Sequence, residues 1–190
     1  MGEARPEWST TINKPRMGRN IFLQKLKILA PVVRNFTKNG ITMSQSFSKF
    51  YSHIVFHTKD NVKFIREDIE DELYSYMGGI LRNCKSIPFQ IGGTSDHIHI
   101  LCTLPRTITL ADLAEEVKKR SSKWIKTKGP QYKSFYWQEG YGGFSVGWSQ
   151  VETIKKYIMN QKKHHANVSF MDEYKRLLKE NGIEFDERYL

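Results

Sequence analysis

The sequence is poor in cysteine and lacks long apolar runs. Its 190 residues include two cysteines, Cys84 and Cys102, whose separation fits neither a metal-binding pair nor a disulfide framework. We therefore expect buried thiols in the reducing environment of a cytoplasm. No apolar run approaches the roughly 20 residues that a membrane-spanning helix needs, so the sequence predicts no membrane partner.

A phosphate-binding loop of the form Gly-x-x-x-x-Gly-Lys-Ser/Thr is also absent, which argues against an attached helicase. The residues that are present have an ordinary composition, 39% hydrophobic and 26% charged, which is typical of one globular domain. The net charge of +10 favours a polyanionic partner. Residues 1–46 carry +6 of this charge and residues 47–190 only +4, so charge alone does not establish nucleic-acid binding.

Alternating and helical patterns divide the chain from residue 50 onward into strands and helices. Strands are predicted over residues 50–58, 88–94, from His97, 132–138 and 144–148, and helices over residues 65–83, 110–127, 150–165 and 171–181. This order predicts an α+β protein in which one antiparallel sheet carries helices on one face.

The most informative stretch is Asp96-His97-Ile98-His99-Ile100. In a strand, side chains alternate between the two faces, so the two histidines share one face and the two isoleucines share the other. Two neutral imidazoles at this spacing can bind one divalent metal. The alternative is a pair of hydrogen-bonded strand histidines. Asp96 is either a turn residue or a partner that orients a histidine.

A second informative pattern lies about sixty residues downstream, in the helix predicted over residues 150–165. Tyr157 and Gln161 are separated by four positions, so they project one turn apart beside the apolar stripe of that helix. A tyrosine hydroxyl and an amide oxygen are therefore presented together. The alternative for this pair is a half-buried helix edge without chemistry.

Together these segments resemble a known family. A strand with His-hydrophobic-His, the HUH motif, followed by a helix with Tyr-x-x-x-Gln is similar to the single-tyrosine HUH transposases of the insertion sequence 200/605 group. The stretch 137–146 resembles that family's segment before the tyrosine helix, and the stretch 44–57 resembles its usual amino terminus. The resemblance covers about residues 43–182, with every element in order.

The resemblance implies a ferredoxin-like, RNA-recognition-motif-like (RRM-like) antiparallel sheet with the HUH motif on a central strand. It implies a transposase that nicks and rejoins single-stranded DNA at hairpins at the ends of an element. Tyr157 would be the nucleophile and would form a 5′-phosphotyrosine intermediate. His97, His99 and the Gln161 amide oxygen would bind Mg²⁺ or Mn²⁺, because a nitrogen and oxygen set without thiolate suits these ions better than structural zinc.

The resemblance also implies a homodimer, in which the tyrosine helix of one subunit can complete the histidine site of the other. In the alternative arrangement, the helix folds back on its own subunit. The expected location is the cytoplasm of a bacterium or archaeon, in association with the nucleoid.

Basic and aromatic side chains near these motifs are candidates for contacts with DNA phosphates and bases. The predicted DNA-binding residues are Lys118, Lys119, Arg120, Lys123, Tyr141, Lys155 and Lys156. The alternative for the basic residues of the helix over 110–127 is a solvated face that complements the helix dipole. For Tyr141 the alternative is packing in the core.

Residues 1–42 differ from the rest of the chain, because Pro6, Pro15 and Pro31 occur among scattered basic residues without a sustained period. We expect a non-native or disordered basic extension there and a single transposase domain over residues 43–190. The alternative is a basic arm that touches DNA phosphates.

Two other functions remain open from the sequence. One is a domesticated or repeat-associated HUH endonuclease with the same nicking chemistry and another DNA target. The other is a non-catalytic nucleic-acid-binding protein built on an RRM-like sheet. A pure binder would need neither Tyr157 nor the paired histidines.

Overall fold

The computed structural model describes residues 47–189, and the extension predicted over residues 1–42 lies outside them. Within the described part, the strands of the sheet are β1 (Phe50–His57), β2 (Pro88–Gly93), β3 (His97–Leu104) and β4 (Gly142–Val146). Their order is β2-β3-β1-β4, and every neighbouring pair is antiparallel. This is the strand order of a ferredoxin-like fold, so the predicted α+β antiparallel sheet is confirmed.

One face of the sheet packs against α1 (Glu67–Asn83) and α2 (Leu110–Ile125) in a large apolar core. The alternation of β1 and β3 turns to this side four isoleucine and phenylalanine side chains that are at most 2% exposed: Ile54, Phe56, Ile98 and Ile100. The apolar stripes of both helices, with 3.6-residue spacing, cover these four side chains. This face is the apolar interior on which the stability of the domain rests.

The other face is covered by α3 (Val151–Met159), α4 (Gln161–His164) and α5 (Phe170–Glu180). The helices predicted for one face are therefore joined by a second helical layer. Gly92 lets α3 lie close to β2, since a Cβ there would be 2.9 Å from the carbonyl oxygen of Ile158. Four histidine side chains point to this face and are at most 9% exposed: His53, His57, His97 and His99.

The helix predicted over residues 150–165 is interrupted. α3 ends at Met159, and Asn160 leaves the helical conformation with φ −96° and ψ 12° before α4 begins. The Asn160 side chain donates a hydrogen bond to the Lys156 carbonyl oxygen (2.8 Å) and so competes with the helical backbone. Tyr157 and Gln161 consequently lie on either side of the break.

The strand predicted over residues 132–138 is wrong. The segment begins in a single 3₁₀ turn, Pro130–Tyr132, and forms only an isolated bridge between Thr58 and Trp137 within the described chain. β1 already pairs with β3 on one side and β4 on the other, so neither edge of β1 is free for a further strand. The aromatic side chains of the segment instead fill the apolar core: Tyr132, Phe135 and Trp137.

No helix within residues 47–189 has both the length and the apolar character that a bilayer crossing requires. The longest of these helices, α1, has 17 residues and begins with three acidic side chains in its first turn.

Candidate metal and tyrosine site

β3 carries a histidine pair into the interior of the chain. β3 is an inner strand, between β2 and β1, and its residues His97 and His99 are fully buried under the second helical layer. Their ring centroids lie 5.2 Å apart. The intervening Ile98 packs in the apolar core on the opposite face, as the alternation of a strand predicts.

The ring of His97 is oriented by its neighbour in the sequence. His97 Nδ1 lies 2.7 Å from Asp96 Oδ1 and 3.0 Å from the Thr94 hydroxyl. Although burial opposes the shift, hydrogen bonds from His97 and Thr94 hold the pKa of Asp96 below its ordinary value. A proton on Nδ1 that is donated to this carboxylate leaves the lone pair of Nε2 free, and Nε2 is the atom that faces the site. Asp96 therefore orients the histidine.

His99 is neutral, and one of its two ring nitrogens is unpaired within the described residues. Its Nδ1 lies 2.9 Å from His53 Nε2, and burial lowers the pKa of His99 to about 4 and the pKa of His53 to about 3. His99 Nε2 is buried and finds no hydrogen-bond partner among the described residues. An orphaned imidazole nitrogen at full burial is costly unless something binds it.

Tyr157 and Gln161 approach the histidine pair from the second helical layer. Gln161 is 1% exposed, and its amide oxygen lies 3.3 Å from His97 Nε2. The ring centroid of Tyr157 lies 5.9 Å from that of His99, and Arg176 donates a hydrogen bond to the Tyr157 hydroxyl at 3.1 Å. The structure thus brings all four predicted residues together within one chain, with the tyrosine helix folded on its own sheet.

Glu173, on α5, is at the centre of this arrangement, and the sequence analysis missed it. Its carboxylate is fully buried and accepts hydrogen bonds from the Tyr157 hydroxyl and from the Gln161 amide nitrogen, the latter at 2.9 Å. Burial and this carboxylate raise the pKa of Tyr157, so the phenol holds its proton at neutral pH. The missed signal was an acidic residue on the apolar stripe of α5, between Phe170 and Leu177.

His165 compensates the buried charge of Glu173. Its Nε2 lies 2.9 Å from Glu173 Oε2, and its Nδ1 lies 2.7 Å from the Val168 carbonyl oxygen. Against the effect of burial, the hydrogen bond with Glu173 raises the pKa of His165. Burial also opposes ionisation of Glu173, yet the hydrogen bond from His165 and the nearby imidazole of His99 hold the pKa of Glu173 far below its ordinary value. We infer a buried imidazolium–carboxylate pair.

The donor atoms of the site fit a divalent metal ion. The facing atoms of His97, His99 and Glu173 all lie within 4.8 Å of one another. When Nδ1 of His97 carries the proton, its Nε2 is a hydrogen-bond acceptor, and it faces a second acceptor, the Gln161 amide oxygen. A cation bound between these two atoms would remove their mutual repulsion. His164, His165 and Glu173 form a second such group. The site is therefore compatible with a divalent metal.

An open cleft of about 540 Å³ lies in front of the tyrosine. Its walls include Tyr157 and two exposed lysines, Lys156 and Lys163. Lys155, one position earlier on α3, is half-buried. Two of the predicted DNA-binding lysines are therefore on the helix of Tyr157, and their role in DNA binding stays a prediction.

The other predicted DNA-binding residues lie away from this cleft, on or beside α2, which packs against the opposite face of the sheet. The Lys118 ammonium donates hydrogen bonds to the carbonyl oxygens of Gln138 and Gly140, both at 2.6 Å, and so holds a loop within the chain. Arg120 pairs with Glu116 one helical turn away. The remaining members of the set are exposed or half-buried: Lys119, Lys123 and Tyr141.

One family model and two solved structures are similar to this chain. The family model described as "Transposase IS200 like" matches residues 46–161. A candidate transposase from Deinococcus radiodurans R1 is 19% identical, with a TM-score of 0.49, over 66% of this chain and 98% of that chain. A REP-associated tyrosine transposase bound to a REP hairpin is 14% identical, with a TM-score of 0.49, over 66% of this chain and 76% of its own. No curated protein matches the chain.

Proposed function

This chain belongs to the family of IS200-like transposases, and on that basis we propose that it nicks and rejoins single-stranded DNA through a covalent 5′-phosphotyrosine intermediate. The substrate would be single-stranded DNA with hairpins at the ends of an element. The observation that carries the proposal is the convergence of the Tyr157 hydroxyl with the buried pair His97 and His99 and with Gln161 in one chain.

The covalent step follows from the position of the phenol. Tyr157 Oη would attack phosphorus, the bond to the 3′ oxygen would break, and the DNA would keep a free 3′-OH while its 5′ phosphate stays on the tyrosine. The phenol proton would pass to water, with the hydrogen bond to Glu173 orienting the hydroxyl, and the leaving 3′ oxygen would take up a proton from water. Because the phosphotyrosine link retains the energy of the broken bond, a 3′-OH can reverse the step without ATP.

A divalent metal completes the proposed site. His97, His99 and Gln161 would hold it, and we propose Mg²⁺ or Mn²⁺, because the set of nitrogen and oxygen atoms contains no thiolate. When bound, the ion would polarise the scissile phosphate and stabilise charge on the displaced oxygen. Asp96 and His53 would keep the two imidazoles turned toward the ion.

The proposal also includes the oligomeric state, the cellular location and the DNA contacts. We propose a homodimer in the bacterial or archaeal cytoplasm, with the lysines beside the cleft guiding the DNA backbone to Tyr157. A domesticated or repeat-associated relative would use the same chemistry on another DNA. Helices cover both faces of the sheet, so bases have no open sheet face to stack on, which favours catalysis over RRM-like binding.

Covalent capture tests this function. Purified protein with MnCl₂ is mixed with single-stranded oligonucleotides from the flanking genomic DNA that contain hairpins, and adducts are resolved on a denaturing gel. We expect an adduct with the wild type and with Tyr136→Phe, a control at an exposed tyrosine, and none with Tyr157→Phe. An adduct of undiminished yield from Tyr157→Phe would refute Tyr157 as the nucleophile.

A further inference from the structure

We propose that Glu173 is itself a further ligand of the metal, beside the two imidazoles and the Gln161 amide oxygen, with the Gln161 amide nitrogen holding the carboxylate in place. This inference rests on the proposed function only for the presence of a divalent ion between the histidines. It adds a charged ligand from α5, an element that lies outside the segment matched by the family model.

The first argument is the position of the carboxylate. Glu173 Oε2 lies 3.3 Å from His99 Nε2 and 3.8 Å from His97 Nε2. The three donor atoms therefore form a compact triangle in a fully buried environment. Two imidazoles and one carboxylate on one side of an ion form a ligand set that proteins use for divalent transition metals.

The second argument is the unsatisfied ring nitrogen of His99. His99 Nε2 is buried and finds no hydrogen-bond partner in the described chain, although it lies close to Glu173 Oε2. A contact at that distance without hydrogen-bond geometry leaves the nitrogen unsatisfied. A cation bound by both atoms would satisfy His99 and compensate the carboxylate at once.

The third argument is that the two carboxylate oxygens of Glu173 have different partners. Oε1 accepts hydrogen bonds from the Tyr157 hydroxyl and the Gln161 amide nitrogen, whereas Oε2 faces the imidazoles. Metal binding through Oε2 leaves Oε1 free to hold Tyr157. Glu173 would then fix the distance between nucleophile and ion, which neither His97 nor His99 can do alone.

The rival explanation is that Glu173 serves only as the counter-ion of His165. Their contact of 2.9 Å accounts for a buried carboxylate without any metal. The two explanations differ in metal affinity, because a charged carboxylate binds a divalent ion much more strongly than a neutral amide does.

Calorimetric titration of the metal-free full-length protein with MnCl₂, without DNA, separates these explanations. We expect Glu173→Gln to weaken Mn²⁺ binding by about tenfold or more, and more than Gln161→Ala does. Glu187→Gln removes an exposed carboxylate that pairs with Lys175 and serves as the matched control with unchanged affinity. An affinity of Glu173→Gln within twofold of the wild type would overturn the proposal.

A measurement on the wild type keeps the proposal testable if Glu173→Gln does not fold. A crystal structure of the wild-type protein grown with MnCl₂, with the ion located by its anomalous signal, is expected to have a Glu173 oxygen bonded to the ion. An ion held by His97, His99 and Gln161 with Glu173 still on His165 alone would contradict it. Both measurements are made without DNA, so their failure is distinct from a failure of covalent capture.

Discussion

The two faces of the sheet differ in what they bury, although the same strands build both. Toward α1 and α2, β1 and β3 present Ile54, Phe56, Ile98 and Ile100, and the interior there is an apolar core. Toward α3, α4 and α5, the alternate residues of the same strands include four histidines, and the site there also contains a glutamine, a tyrosine and a glutamate. Neighbouring residues of one strand thus belong to an apolar core and to the candidate site.

This contrast teaches how a small domain can bury a costly site. A polar interior with an unsatisfied imidazole and a buried carboxylate lowers the stability of the fold. The apolar face opposite supplies the hydrophobic free energy that offsets this loss. Substitutions on one face should therefore affect chemistry, and substitutions on the other should affect unfolding.

The largest effect is expected from the polar face. His97→Ala should abolish DNA cleavage, whereas Gln161→Ala should weaken it and raise the metal concentration required, because water can partly replace a neutral amide oxygen. Cleavage rates over a series of MnCl₂ concentrations measure both. His57→Ala, a buried histidine of the same face that bonds to the Thr58 carbonyl, is the control and should still cleave. Cleavage by both site variants at the wild-type rate under limiting metal would contradict the site.

The apolar face should respond in stability. Ile100→Ala should lower the free energy of unfolding by about 2–5 kcal/mol, because it leaves a cavity at a fully buried position. Urea unfolding with and without MnCl₂ sharpens the comparison with the adjacent His99→Ala. At a free metal concentration of 100 times Kd, the ion should add about 2.7 kcal/mol to the wild type and to Ile100→Ala, and nothing comparable to His99→Ala. Equal stabilisation of all three proteins would break the contrast between the faces.

A smaller effect should distinguish the lysines of the two helical layers. Lys156→Ala, beside the cleft, should reduce affinity for single-stranded DNA several-fold and lower the salt slope by about 0.7, since one phosphate contact is lost. Lys119→Ala, across the sheet on α2, should change both quantities less. Fluorescence anisotropy at several salt concentrations measures them. A larger loss from Lys119→Ala would place the DNA on the other face.

The smallest effect is expected from mixing two inactive variants, which should restore no nicking activity. In the structure Tyr157 lies beside the histidines of its own chain, so every site in a heterodimer of His97→Ala and Tyr157→Phe lacks one essential group. We therefore expect no nicking from heterodimers whose formation is verified by differential tagging. Recovery of nicking would mean that the tyrosine helix completes the partner's site, as the family resemblance allows.

Local patterns in the sequence determined most of the secondary structure and identified four residues of the candidate site. The alternation around His97 and His99 correctly separated the two faces of β3, because the side-chain direction of a strand depends only on the backbone of that strand. Thr109 caps α2 as a hydroxyl before a helix should, accepting from the Asp112 N–H at 3.1 Å. The spacing of Tyr157 and Gln161 predicted two groups one turn apart on a single helix, but the break at Asn160 places them on α3 and α4.

Only the tertiary structure decided which distant groups meet. The break at Asn160 and the loss of the strand over residues 132–138 depend on a side-chain hydrogen bond and on strand edges already occupied. Glu173 is a single acidic residue on an otherwise apolar stripe, and nothing within α5 tells which groups lie opposite it. Its meeting with His99, 74 positions earlier, requires α5 to pack on the sheet, and packing between distant segments is set by the whole core rather than by any local period.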